Sequence, residues 1–272
     1  MEHHIESVSA VARSFDDAAD CFEHAAAALW DRHGRRLVSQ SRIAPGMQVL
    51  DAACGTGASA IPAAHRVGRD GRVIAIDIAP RLLAIGRAKA RAHRLRHLRF
   101  QFGDLRTPPV PAASQDAVLC GFGLDLVPDM VEGLQVLWHA VRPGGILALS
   151  LWGESRFEPA HGLFMAAISK ELTESVPDFL PHERLADALK IRLAFSAAGL
   201  PEPEIVHEEG SHSLIDGDSW WRLALGSEYR CLINRLDPST REQVAATISH
   251  RLAADHVSVL STDVQYVTLR KE

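Results

Sequence analysis

Val49–Ala60 reads VLDAACGTGASA. An apolar run ends in the acid Asp51, two glycines follow at Gly55 and Gly57, and small residues then open what can become a helix. A strand that stops here, turns through backbone with almost no side chains and enters a helix offers a ligand three things. They are a carboxylate, a backbone that can be approached closely, and the unpaired N–H groups of a helix N-terminus.

Strand-like and helix-like stretches alternate outward from this point. QVLDA reads as strand, ASAIPAAHRV as helix, GRVIAIDI as strand and PRLLAIGRAKARAH as helix, with Pro80 suited to its first turn. LRFQFGD, DAVLCGF and GGILALSLW read as further strands, with PDMVEGLQVLWHAV as a helix between the last two. Near-continuous apolar strands separated by helices predict a parallel sheet covered on both faces, with its core at about 42–152. A helical segment over about 8–41 precedes it. Helices at Pro159–Thr173 and His182–Ala198, a strand in PEIVHEE, helices in DSWWRLAL and STREQVAATISHRLAAD, and a last strand VQYVTLRK follow.

The chain has 272 residues, of which 47% are hydrophobic, enough for one large core. A net charge of −5 argues against a nucleic-acid protein. The basic stretch Arg81–Arg99 has no interleaved aromatic pattern for base stacking and reads as a solvated helix face and turn. The four cysteines form no C-x-x-C pair, which points to a reducing, cytoplasmic setting, and Cys54 and Cys120 read as packing residues. No apolar run approaches membrane-spanning length, and the scattered histidines suggest no metal site.

In an open parallel sheet, ligands sit beyond the carboxyl ends of the strands at the switch point. Three successive strands here end at or near an acid: Asp51, Asp77 and Asp104. The spacing from Gly57 to Asp77 fits an acid that binds ribose hydroxyls. The loop reads G-T-G-A-S-A, so a dinucleotide is not excluded by the glycines alone. A carboxylate at the end of the first strand repels a pyrophosphate and attracts an ammonium or sulfonium, which favours S-adenosylmethionine.

VLDAACGTG, VIAIDIAPRLLAIGRAKA, FQFGDL, DAVLCGFGL and AVRPGGILALSLW together resemble the class I S-adenosylmethionine-dependent methyltransferases, nearest to the ubiquinone/menaquinone C-methyltransferase type. The resemblance runs over about 8–152. It implies an α/β, Rossmann-like, doubly wound, mostly parallel seven-stranded sheet with a helical N-terminal segment and a helical lid insertion after the fifth strand. It also implies one methyltransferase domain over 1–272. That domain comprises an N-terminal helical lid (1–41), a cofactor-binding core (42–152), and substrate-side helices with the last sheet strands (153–272).

Carried onto this chain, the resemblance places Asp51, Ala53 and Gly55 along the methionine part of the cofactor, with Thr56 and Gly57 of the same loop also binding it. Asp77 takes the ribose hydroxyls and Ile78 lies against the adenine. Asp104 accepts from the adenine amine, Leu105 supplies a backbone contact, and Cys120, Gly121 and Phe122 pass under the sulfonium. Phe22 stands where the family usually has a tyrosine near the cofactor. The family's quinone enzymes read F-G-L-R-N after the fourth strand, whereas this chain reads FGLDLV, so Asp125 and Leu126 alter the lip of the substrate site.

The expected acceptor is a small aromatic or polyketide-like molecule methylated on O, N or C, with no nucleic acid or membrane partner and with homodimerisation left open. Phe15, Trp30, Leu126 and Trp152 are expected to contact it. Asp125 and His161 are the leading catalytic candidates, with Glu158, His182 and His212 as other bases. The segments 8–35 and 155–180 are expected to enclose the acceptor. A cyclisation on the same fold and an NAD-dependent oxidoreductase are the competing readings.

Overall fold

The computed structural model describes residues 2–25, 27–172, 185–216 and 218–272. Two helices, α1 (Glu2–Ala25) and α2 (Ala27–Gln40), lead into β1 (Gln48–Ala52), α3 (Ala60–Val67), β2 (Arg72–Asp77), α4 (Pro80–Ala92), β3 (Leu98–Phe102) and β4 (Gln115–Gly121). Next come α5 (Met130–Ala140), β5 (Val141–Trp152), α6 (Ala160–Glu171), α7 (Ala188–Ala197), β6 (Glu204–Glu208) and β7 (Ser211–Ser213). The order ends with α8 (Ser219–Leu225), α9 (Arg230–Ile233), α10 (Pro238–Ala254), β8 (Val259–Ser261) and β9 (Val264–Arg270).

Seven strands form one sheet in the order β3-β2-β1-β4-β5-β9-β6. The first five are mutually parallel, and β9 runs antiparallel to both β5 and β6. The chain winds outward from β1 to β3 and then returns to place β4 on the other side of β1. The expected mostly parallel, doubly wound sheet is therefore present, with its switch point between β1 and β4.

The central strands are apolar on both sides because each side is buried. Val49, Ala117, Leu119 and Ala148 belong to a core with α2, α3 and α4. Leu50, Val118, Cys120, Leu147 and Leu149, one position out of phase, join a second core with α5 and α7. The two-residue period of a strand thus divides one apolar run between two helical layers.

The N-terminal segment, read as a single helical stretch, is two helices. The helix expected at Pro159–Thr173 is α6, ending at Glu171, and Thr173 lies outside the described residues. The helix expected from His182 is α7, starting at Ala188, with 182–184 outside the described residues. The two-stranded β7–β8 ribbon and the short α9 were not anticipated, since three or four residues are too few to show a period.

The basic stretch Arg81–Arg99 divides in two. Arg81 pairs with Asp20 and donates to the Asp16 carbonyl, and Lys89 reaches Glu23 at 2.6 Å, so these cations fasten α1 over α4. Arg91, Arg94, Arg96 and Arg99 border an exposed hollow beside the C-terminal turns of α3 and α4.

Gly34 lets α2 come close to the loop that follows β1. A Cβ there would lie 2.2 Å from the Ala58 carbonyl oxygen, which is backbone and cannot rotate away. Gly34→Ala is therefore expected to cost about 1–3 kcal/mol of stability by overpacking. Urea unfolding checks this; an unchanged midpoint would show that α2 does not seat on the glycine loop as described.

Candidate functional site

The loops after β1 and β4 open a cleft at the switch point. It is lined by residues 53–56 from the first loop, 121–123 and 125–127 from the second, Asp77 and Ile78 at the end of β2, and Phe15, Phe22 and Trp30 from α1 and α2. Strained backbone marks both loops. Ala53 and Phe122 hold left-handed conformations, at φ 56° and 55°, although neither is glycine. Such conformations persist only where the surroundings impose them, and they concentrate at functional sites.

Asp77 organises the first loop. One carboxylate oxygen accepts from Gly55 N at 2.8 Å and the other from Ala79 N at 2.9 Å. A carboxylate oxygen has a second lone pair, so both oxygens can still accept from a ligand. Burial pushes the Asp77 carboxyl above its usual range, against the pull of these backbone donors. Gly55 sits at φ +54°, with no atom nearer than 3.8 Å to the position a Cβ would take.

Asp51 is fully buried beneath this loop and does not itself line the cleft. Ser59 Oγ donates to its Oδ2 at 2.7 Å, and its Oδ1 has no hydrogen-bond partner. Burial, with help from the Asp77 charge, pushes the Asp51 carboxyl up to about 7. An unmatched buried acceptor oxygen is what an ammonium group of a ligand would satisfy. The orphan oxygen, the side-chain-free turn at Gly55 and the half-used Asp77 carboxylate together fit the amino-acid and ribose parts of S-adenosylmethionine.

Asp104 lies two residues past the end of β3 and lines the cleft, but Arg106 engages it with a fork of bonds at 2.7–3.2 Å. Burial alone would raise its pKa; the Arg106 hydrogen bonds and charge outweigh this and hold it low. Any ligand donor at this carboxylate would share it with the arginine. Leu105 and Arg106 also border the cleft. Gly57 and Cys120 stand apart from the lining. A Cβ on Gly57 would meet the Phe100 ring at 2.7 Å, so this glycine serves packing, and Cys120 is fully buried under the second loop.

Beyond the cofactor half, aromatic side chains enclose the cleft. Phe22 stacks on Trp30 at 5.5 Å, Trp30 meets Trp152 edge-on at 5.8 Å, and Trp152 stacks on Phe122 at 4.2 Å. His33 supports this group from behind, in edge contact with Phe122 and Trp152 and bonded to Tyr266 at 2.7 Å. Burial, then the charge of Arg32, lowers its pKa to about 4 and keeps it neutral.

Of the candidate bases, Asp125 lines the cleft, as does its neighbour Leu126. His161 bonds to the Tyr229 hydroxyl at 2.7 Å and does not border the cleft, and neither do Glu158 and His212. His182 lies outside the described residues. Glu228, which borders the cleft, and the buried His33 were missed, because neither sits in a motif or beside the glycine loop in sequence.

Comparison with known proteins identifies the family and the fold. A methyltransferase-domain family model matches residues 49–145. The chain is 32% identical over 170 residues to aklanonic acid methyltransferase from Streptomyces sp., covering 62% of this chain and 77% of that one. It is 30% identical over 201 residues to demethylmenaquinone methyltransferase from Listeria monocytogenes, covering 68% and 81%. Among solved structures, a Haemonchus contortus phosphoethanolamine N-methyltransferase superposes with a TM-score of 0.57 at 13% identity, over 94% of this chain and 57% of that one. A [4+2]-cyclase superposes at 0.53 and 20% identity, over 89% and 80%. The chain belongs to the S-adenosylmethionine-dependent methyltransferases. S-adenosylmethionine is its cofactor.

Two measurements check the site. Asp77→Ala removes charge-assisted bonds of about 1.5–3 kcal/mol each, so S-adenosylhomocysteine affinity is expected to fall at least tenfold in calorimetry. Unchanged affinity would remove Asp77 from the ribose. The second concerns pH. In the free protein Asp51 favours its neutral form, a stability contribution that is full below about pH 4 and lost as pH rises towards 7. An ammonium partner requires the ionised form, so binding below pH 7 should release a proton to the buffer. Affinity should climb up to about pH 7 and then level, and Asp51→Asn should flatten the climb.

Proposed function

We propose that this chain methylates a small aromatic or polyketide-like acceptor held between the aromatic side chains of α1, α2 and the β4 and β5 ends. The observation that carries the proposal is the ring enclosure formed by Phe22, Trp30, Phe122 and Trp152, which adjoins the cofactor half of one cleft. Flat apolar rings stack on such walls, and a few polar groups then fix orientation.

Bound S-adenosylmethionine supplies a methyl group already activated by its sulfonium. What the chain contributes is position and exclusion of water. Trp30, Phe122 and Trp152 hold the acceptor ring, and α1 covers the cleft, fastened to α4 through Arg81 and Lys89. Where the attacking atom carries a proton, Asp125, which borders the cleft, is assigned the role of taking it. His161, engaged with Tyr229 outside the cleft, is not given that role. The segment 8–35 forms part of the acceptor enclosure; 155–180 includes residues outside those described.

Trp152 is 2% exposed and packs on Phe122, Phe157 and Arg156. Its truncation to Ala would damage the fold along with the site, so Trp30→Phe and Trp152→Phe are the sharper variants. With S-adenosylmethionine and a panel of hydroxylated polycyclic aromatics, wild-type protein should yield S-adenosylhomocysteine and a product heavier by one methylene, read by mass spectrometry. Both Phe variants should alter the ranking of acceptors while binding S-adenosylhomocysteine within about threefold of wild type. Acceptor conversion without S-adenosylhomocysteine release would contradict methyl transfer, and an unchanged ranking would move the acceptor elsewhere.

A further inference from the structure

An ion pair that the cofactor half does not use stands at the acceptor end of the cleft. Glu228, in the turn between α8 and α9, borders the cleft with 6% of its surface exposed. It pairs with Arg156, which is 2% exposed and does not border the cleft. Arg156 is caged: its guanidinium lies 4.9 Å from the Tyr229 ring centre, 5.2 Å from that of Phe157 and 5.3 Å from that of Trp152. The turn is itself held in place. A Cβ on Gly226 would lie 3.0 Å from the Cys21 carbonyl, so this segment presses against α1 next to Phe22.

Two buried charges are a poor way to gain stability. Their desolvation cost is large, and an apolar pair of similar volume often serves as well. The pair does hold a carboxylate at one place on the cleft wall, against a guanidinium. Among the described residues, no donor other than Arg156 reaches the Glu228 carboxylate, which has acceptor positions left over. Asp125 borders the same cleft, so with Glu228 and Arg156 the acceptor end holds two acids and one base. That environment can accept hydrogen bonds from a neutral ligand and opposes an anion.

We infer that Glu228, positioned by Arg156, is a specificity-determining residue that accepts a hydrogen bond from a hydroxyl group on a neutral phenolic or enolic acceptor and turns away aromatic carboxylates. The inference rests on the aromatic-acceptor reading above and narrows it to one class. Arg156 is a positioning residue: it sits behind Glu228 and acts on the ligand through it.

Three probes of similar size separate the possibilities: 2-naphthol, which donates; 2-methoxynaphthalene, which cannot; and 2-naphthoate, which is anionic at pH 7. Each is titrated into full-length protein saturated with S-adenosylhomocysteine, and quenching of tryptophan emission is followed. Wild type should bind 2-naphthol about ten- to a hundredfold tighter than either competitor, the range expected when a buried carboxylate loses its donor. Glu228→Gln should shrink the gap over 2-naphthoate to about threefold or less, because Arg156 is then uncompensated, while S-adenosylhomocysteine affinity stays at the wild-type value. Glu228→Asp, which keeps the charge, should restore much of the preference.

The wild-type comparison decides even if the Gln variant fails to fold. Equal binding of 2-naphthol and 2-methoxynaphthalene, tighter binding of 2-naphthoate, or no binding of any probe overturns the inference. So does a Gln variant that folds and keeps the full preference. Failure to bind S-adenosylhomocysteine would strike instead at the cofactor site; binding it with no probe preference strikes at Glu228 alone.

Discussion

Asp77 ties two strand ends together. Its carboxylate accepts from Gly55 N across the β1 loop and from Ala79 N at the start of α4. Neither bond depends on a ligand, so the loop is shaped in advance. Because β1 lies between β2 and β4 in the sheet, fixing the β1 loop against β2 leaves the gap towards β4 open. The cleft is that gap. The left-handed backbone at Ala53 and Phe122 occurs on its two sides, where the chain turns sharply away from the strand ends. Strain of this kind needs a rigid frame, and two helical layers packed on a buried sheet supply it.

The second layer of organisation is α1, whose Phe15 and Phe22 border the cleft. Its buried apolar residues Val11, Ala18, Ala19 and Phe22 are joined by polar fastenings. Asp16, Asp20 and Glu23 on α1 meet Arg81 and Lys89 on α4, and Asp17 accepts from Asn234 beside α9. The Arg81 contacts are exposed and each is weak. Exposed pairs of this kind open at little cost, which suits an element that covers a cleft a ligand must enter and leave. The aromatic centre is buried more deeply: Trp30 is 8% exposed and Trp152 2%.

Much of this was legible in the sequence, for reasons that differ by element. β1, β2, β4 and β5 showed themselves because strands buried on both faces must be apolar throughout, and the glycines and acids near their ends mark the turns that open the cleft. Asp77 and Gly55 were readable as cleft residues. Asp51 was readable as an acid near the end of β1, but its position beneath the loop was not. Asp104 was legible as a cleft residue, whereas its capture by Arg106 was not, since a contact two residues away leaves no periodic trace. Gly57 looked like its partner glycine, and only the packed Phe100 ring shows that it faces away. Glu228 and Arg156 meet across 72 residues, and His33 meets Tyr266 across 233. Such pairings are made by the fold and have no local sequence signal.

The most direct measurement is a crystal structure of the protein with S-adenosylhomocysteine bound. The expected electron density places both ribose hydroxyls on the Asp77 carboxylate, the amino-acid end along Ala53–Gly55 above Asp51, and the sulfur facing the enclosure of Trp30, Phe122 and Trp152. Density with the adenine lodged among those aromatic rings, or with the ribose away from Asp77, would contradict the assignment of the two halves of the cleft.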